Sequence, residues 1–114
     1  MLEEIVRLQI EGEISRGEAA RAKGNEGMAR VCARRAAGIL IRDYLAKQNV
    51  LPPVSNTFDL LRYFRDLPGN SAEIQQVLDH LIIRVDSAHN LPEDIDLIQE
   101  THWLVQVLEQ QQPL

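Results

Sequence analysis

The sequence is poor in aromatics, has a single cysteine and contains no long apolar run. Two phenylalanines, two tyrosines and one tryptophan make up 4% of its 114 residues. A core must therefore be built from Leu, Ile, Val and Ala. That suits helix-on-helix packing better than a sandwich, which draws on β-branched and aromatic strands. The lone Cys32 excludes an internal disulfide and fits a reducing compartment. No stretch approaches the roughly 18 consecutive apolar residues of a membrane span. The first residues, Met1 to Glu13, are acidic and do not read as a signal peptide. These features predict a cytoplasmic chain. There is no CxxC, no HExxH and no glycine-rich loop followed by Lys-Ser/Thr. Gly24 and Gly27 flank Asn25 and Glu26 without a preceding strand, so that stretch is discounted as a nucleotide cradle. His80, His89 and His102 are far apart and lack the i, i+4 partner that helical metal sites favour. No metal or other cofactor is expected.

What the sequence does contain is ordinary for a globular chain: 45% hydrophobic and 25% charged residues. Its length predicts one domain over residues 1–114, burying roughly two thirds of the unfolded surface. A net charge of −5 gives no global attraction to nucleic acid or an anionic membrane. The charge is unevenly spread. Residues 27–47 carry Arg30, Arg34, Arg35, Arg42 and Lys47 against Asp43, whereas residues 85–114 carry six acids and no Lys or Arg. The two segments can pair with each other, pair with a second copy, or stand as solvated faces.

Apolar residues recur every three to four positions throughout, and no strand-period alternation is present. The first segment, Leu2 to about Ala22, is helical in spacing. Gly12 and the stretch Ser15 to Glu18 point to a break, and Ser15 with Glu18 has the spacing of a capping box that starts a second short helix. Gly24 to Gly27 marks a turn. A long helix over 28–48 follows, with Met28, Val31, Cys32, Ala36, Ile39 and Leu40 on one side. Its small residues, Ala29, Cys32, Ala33, Ala36, Ala37 and Gly38, allow another helix to approach, either within the chain or from a second copy. Leu51-Pro52-Pro53 ends it. A helix over 57–66 presents Phe58, Leu61 and Tyr63 or Phe64. Another over 72–85, capped by Ser71, presents Ile74, Val77, Leu78, Leu81 and Ile82. The last runs from the first turn at Pro92 to about Gln111, with one stripe of Ile95, Ile98, His102 and Val105 and another of Leu97, Thr101, Leu104 and Leu108. The predicted fold is all-α, an antiparallel bundle of four to five helices joined by short loops.

Few residues carry chemistry. Arg30, Arg34 and Arg35 surround Cys32 in sequence and would favour its thiolate; a buried, inert thiol is the simpler reading. His102, beside Trp103 on an apolar stripe, reads as a packed core or interface histidine. Arg84 and His89 form the pair best suited to metal-independent RNA cleavage. Histidine moves protons near neutral pH, and arginine neutralises charge building on phosphorus-bound oxygens. On one continuous helix, five positions separate them by about 140°, so they converge only if the helix ends between them or two subunits share them. The plainer alternative has Arg84 bridging an acid and His89 capping a turn.

The order of these features resembles the HEPN family of small helical-bundle proteins. Residues 27–42 (GMARVCARRAAGILIR) are similar to its long alanine-rich helix, and residues 56–61 (NTFDLL) to its short helix start. Arg84 and His89 resemble its Arg-x4-6-His pattern. The resemblance implies a homodimer with the Arg and His of both copies in one cleft, and a small nucleotidyltransferase as a companion. Val85 stands where Asn or Asp often follows the arginine, and Leu91 where a tyrosine is often found. The expectation is thus a homodimeric, non-catalytic nucleotide- or partner-binding module, with Arg30, Arg34 and Arg35 as binding residues and no membrane contact. The alternative is a toxin-like ribonuclease acting through Arg84 and His89 on RNA.

Overall fold

The computed structural model describes residues 2–83 and 95–111. Among them are five helices: α1 (Glu4–Ala22), α2 (Glu26–Lys47), α3 (Thr57–Arg65), α4 (Ala72–Ile82) and α5 (Leu97–Gln110). No strand occurs among the described residues, so the fold is the expected all-α bundle.

Local chemistry sets most helix ends. An N-terminal turn leaves backbone N–H groups without intrahelical acceptors, and a short polar side chain supplies one. Asn25 accepts from the Met28 N–H at 3.1 Å, Asn56 from Asp59 at 2.8 Å, Ser71 from Ile74 at 3.1 Å and Asp96 from Gln99 at 3.1 Å. Two C-termini close in the same way. After α1, Gly24 at φ 81° lets the Asn25 N–H reach the Ala20 carbonyl and its own N–H reach Arg21. After α2, Asn49 at φ 60° does the same for Leu45 and Ala46. Both are left-handed caps of the Schellman type, where glycine or asparagine is favoured.

Helix α1 is continuous, which corrects the expected break at Gly12 and Ser15 to Glu18. Gly17 has a packing role instead. A Cβ there would lie 3.1 Å from Cys32 Cβ, 3.2 Å from Ile98 Cδ1 and 3.3 Å from the Ala29 carbonyl. Its hydrogen lets α1 rest on α2, and tertiary contact outweighs the weak helix propensity of glycine.

Helix α2 is the central element. Ala29, Ala33, Ala36, Ala37, Leu40 and Ile41 are completely covered. Helix α1 runs antiparallel to it: Gly17 meets Ala29 and Cys32, while Val6 lines one groove with Ile39 and Ala46. Helix α5 is antiparallel to α1, because Arg7 binds Glu109 at 2.8 Å near one end and Arg21 binds Asp96 at 3.1 Å near the other. Helices α2 and α5 therefore share a direction. Thr101 of α5 is buried against α2 and donates its hydroxyl to the Ala33 carbonyl at 3.4 Å. The small residues of α2 are thus occupied by packing inside one chain. Helices α3 and α4 close the core with Leu60, Leu61, Phe64, Ile74, Leu78 and Leu81. Tyr44 meets Phe64 edge to face at 5.8 Å.

In α5 the stripe Leu97, Thr101, Leu104 and Leu108 is wholly buried, as its spacing predicts. The neighbouring stripe is less so. His102 is exposed, which corrects the expectation of a core histidine within one chain. Met28 is also exposed, in the first turn of α2. Helix α5 begins at Leu97, with Asp96 as its extended cap rather than a residue of its first turn. Pro92, at which its start was expected, lies outside the described residues.

Candidate functional site

The basic stretch of α2 divides by helix geometry. Successive side chains turn by about 100°, so Arg34 and Arg35 face different neighbours. Arg34 points toward α4. Its Nε donates to the Leu81 carbonyl at 2.8 Å and its Nη2 to the Ile83 carbonyl at 3.1 Å, with the guanidinium 5.3 Å from the Phe58 ring centre. It satisfies carbonyls at the end of a helix that lack intrahelical donors, and there a cation also complements the helix dipole. Arg30 is half-buried near the start of α2. The Glu26 carboxyl is held below its ordinary range chiefly by a hydrogen bond from Arg21, with the charge of Arg30 adding to the effect. Arg34 thus belongs to the framework.

Arg35 does not. It lines an open cavity of about 500 Å³ between α1, α2 and the start of α3. The floor is apolar: Val6, Ile39, Ala46 and Leu60. Gly38 keeps it low, since a Cβ there would meet Thr57 Cγ2 at 3.3 Å. Arg35 and Arg42 stand on the rim, both exposed. Seven positions apart, they share one side of α2 about 10 Å from each other along its axis. Arg42 donates to the Ser55 carbonyl at 3.2 Å. Neither has a carboxylate partner among the described residues. Two acids also line the groove; Glu13 faces Arg16 at 2.9 Å and Asp43 faces Lys47 at 3.2 Å, while Glu13 Oε1 and Asp43 Oδ2 are buried without a hydrogen-bond partner. The rim therefore offers two guanidinium groups above an apolar floor. Arg42 was visible in sequence only as part of the basic run; its i, i+7 spacing from Arg35, with Ile39 between, is the signal that joins them.

His80 and Glu100 form a second arrangement that sequence spacing does not reveal, because its members are on different helices. The Nδ1 of His80 lies 2.6 Å and 3.0 Å from the two carboxylate oxygens, and both side chains are mostly covered. This contact ties α4 to α5. Cys32 is buried at the α1–α2 crossing, where its β-carbon would lie 3.1 Å from a Cβ at Gly17. That position suits a packing residue and gives a reagent no route to the sulfur. Among the described residues no three His, Cys, Asp or Glu converge to hold a metal ion. No described helix is long and apolar enough to cross a membrane. Arg84 and His89, the pair expected to cleave RNA, lie outside the described residues.

No protein-family model matches the chain, and neither the curated proteins nor the solved structures contain a match to it.

Proposed function

We propose that this chain is a non-catalytic docking module whose α1–α2–α3 groove takes an acidic, amphipathic helical segment of a partner protein. The observation that carries this reading is the pair Arg35 and Arg42, without carboxylate partners, over a floor of Val6, Ile39, Ala46 and Leu60. An occupant must bring apolar side chains for the floor and carboxylates for the rim. A helix with leucines at i, i+4 spacing and glutamates seven positions apart does both, and guanidinium groups bind carboxylates as geometric forks. A nucleic acid fits this groove poorly. Its phosphates and sugars gain nothing from the apolar floor, which a helix with leucines fills.

The test uses a fluorescent helical peptide of that pattern and follows anisotropy on titration with the full chain. Binding in the micromolar range is expected. It weakens about tenfold for each rim arginine reversed to glutamate, with Arg30→Ala as an unaffected control. A peptide with lysines in place of the glutamates does not bind. Equal binding of both peptides, or tighter binding of a single-stranded RNA oligonucleotide, overturns the reading. The same RNA, incubated with the protein and EDTA, stays intact; cleavage that Arg84→Ala or His89→Ala abolishes would replace docking with catalysis.

A further inference from the structure

The outer face of α1 borders the groove at Gln9 and lies otherwise apart from it. Ile5 and Leu8 are 65% and 59% exposed, unusual for large aliphatic side chains on a regular helix. They are not isolated. Ile5, Leu8, Gly12, Ser15 and Ala19 follow one another at spacings of three and four, the repeat of a coiled-coil seam. At about 100° per residue this stripe lies nearly opposite Ile10, Ile14 and Gly17, which face the core. A partner laid along it would therefore meet α1 alone, with the rest of the bundle turned away.

The charges beside the stripe say which partner fits. One flank carries Glu4, Glu11 and Glu18; the other carries Gln9, Arg16 and Lys23. In a parallel pair of such helices, each flanking residue meets the one five positions later on its mate. That matches Glu11 with Arg16 and Glu18 with Lys23, twice over by symmetry. An antiparallel pair would set Glu11 against Glu11 and Arg16 against Arg16, which is repulsive. Arg16 already touches Glu13 on its own helix at 2.9 Å but remains 66% exposed, with donors to spare. The small side chains at Gly12, Ser15 and Ala19 let two backbones come close, and a Cβ at Gly12 would meet only the tip of Arg16.

We infer that the chain forms a homodimer through a parallel α1–α1 seam, placing the two docking grooves on opposite sides of a two-fold axis. Such an interface is isologous, each residue meeting its counterpart or a complementary neighbour. The inference does not depend on what the groove binds.

Light scattering and sedimentation of the full chain test it. A dimer is expected, with a dissociation constant raised at least about tenfold by Ile5→Glu with Leu8→Glu. Both positions are exposed, and an unchanged circular dichroism spectrum confirms that the variant folds. Glu11→Lys weakens the dimer, and adding Arg16→Glu restores it. Ser15→Cys cross-links to its counterpart on mild oxidation, because parallel register brings the two positions together. A monomer at every concentration up to millimolar, a dimer indifferent to Ile5 and Leu8, or a failure of the restored pair overturns the inference. Loss of peptide binding with the dimer intact would count against the groove alone.

Discussion

Arg34 and Arg35 are neighbours in sequence and opposite in use. On the α4 side of α2, Arg34 is held by two backbone carbonyls and an aromatic ring. On the α1–α3 side, Arg35 stands over an apolar floor with no carboxylate beside it among the described residues. The interior between these sides is denser still, with four alanines of α2 fully covered. One helix thus carries a packed seam, a structural clamp and an open rim. A charge is informative about function only once its neighbours are known. The same guanidinium is framework where acceptors face it and an exposed, open donor where none do.

The packed seam should be the least tolerant region. Gly17→Leu forces a side chain into space where even a Cβ lies 3.1 Å from Cys32 and 3.3 Å from the Ala29 carbonyl. Backbone cannot yield as a flexible side-chain end can, so α1 must lift from α2. Overpacking of this kind costs about 3 kcal/mol, read as a lowered urea midpoint with an unchanged slope. Gly12→Leu, on the opposite side of the same helix, should not lower stability. An equal loss at both positions would remove the distinction between the seam and the outer face.

The clamp comes next. Arg34→Ala leaves the Leu81 and Ile83 carbonyls without their charged donor and uncovers Phe58. Hydrogen bonds from a charged group contribute about 1.5–3 kcal/mol, less where water competes, so a loss of about 2 kcal/mol is expected. Arg34→Lys recovers little, because an ammonium cannot reach two carbonyls and stack on a ring together. Arg35→Ala should change stability by less than about 0.5 kcal/mol while abolishing much of the peptide binding. If the two alanine variants were equally stable, the contrast between the sides of α2 would fail.

The helices were largely legible in the sequence, and the reason is local. Asn25, Asn56 and Ser71 cap the helices they precede, and Gly69 turns the chain without help from distant residues, whereas α2 ends at Lys47 on the left-handed Asn49, ahead of the expected stop at Leu51-Pro52-Pro53. The buried stripe of α5 was legible for the same reason, since Leu97, Thr101, Leu104 and Leu108 repeat with helical period. What stayed hidden depends on partners far away in sequence. Ser15 and Glu18 have the chemistry of a helix start, yet α1 continues because Gly17 is needed against Cys32 and Ile98. Periodicity could not separate Arg34 from Arg35, nor could it bring His80 to Glu100 across two helices.

The smallest effect concerns the ends of α2 and α5, where Arg21 gathers Glu26 at 2.8 Å and Asp96 at 3.1 Å. The hydrogen bond from Arg21 lowers the Glu26 carboxyl from its ordinary 4.5. A carboxyl depressed in the folded state binds protons more readily when unfolded, so it favours folding at a pH above its unfolded value. That contribution fades as pH falls below 4.5 and through the lower folded value. Both side chains are more than a third exposed, so solvent and salt screen most of the gain. Arg21→Gln should therefore change stability little in 1 M salt and flatten the acid limb of the stability curve at low ionic strength. Such a cluster, fully present at neutral pH yet small and screened by salt, trims the joint between two parallel helix starts, while packing around Gly17 and Thr101 holds them. An acid limb that keeps its slope in Arg21→Gln would place the pH dependence on other carboxylates, and with it the joint between α2 and α5 wholly on that packing.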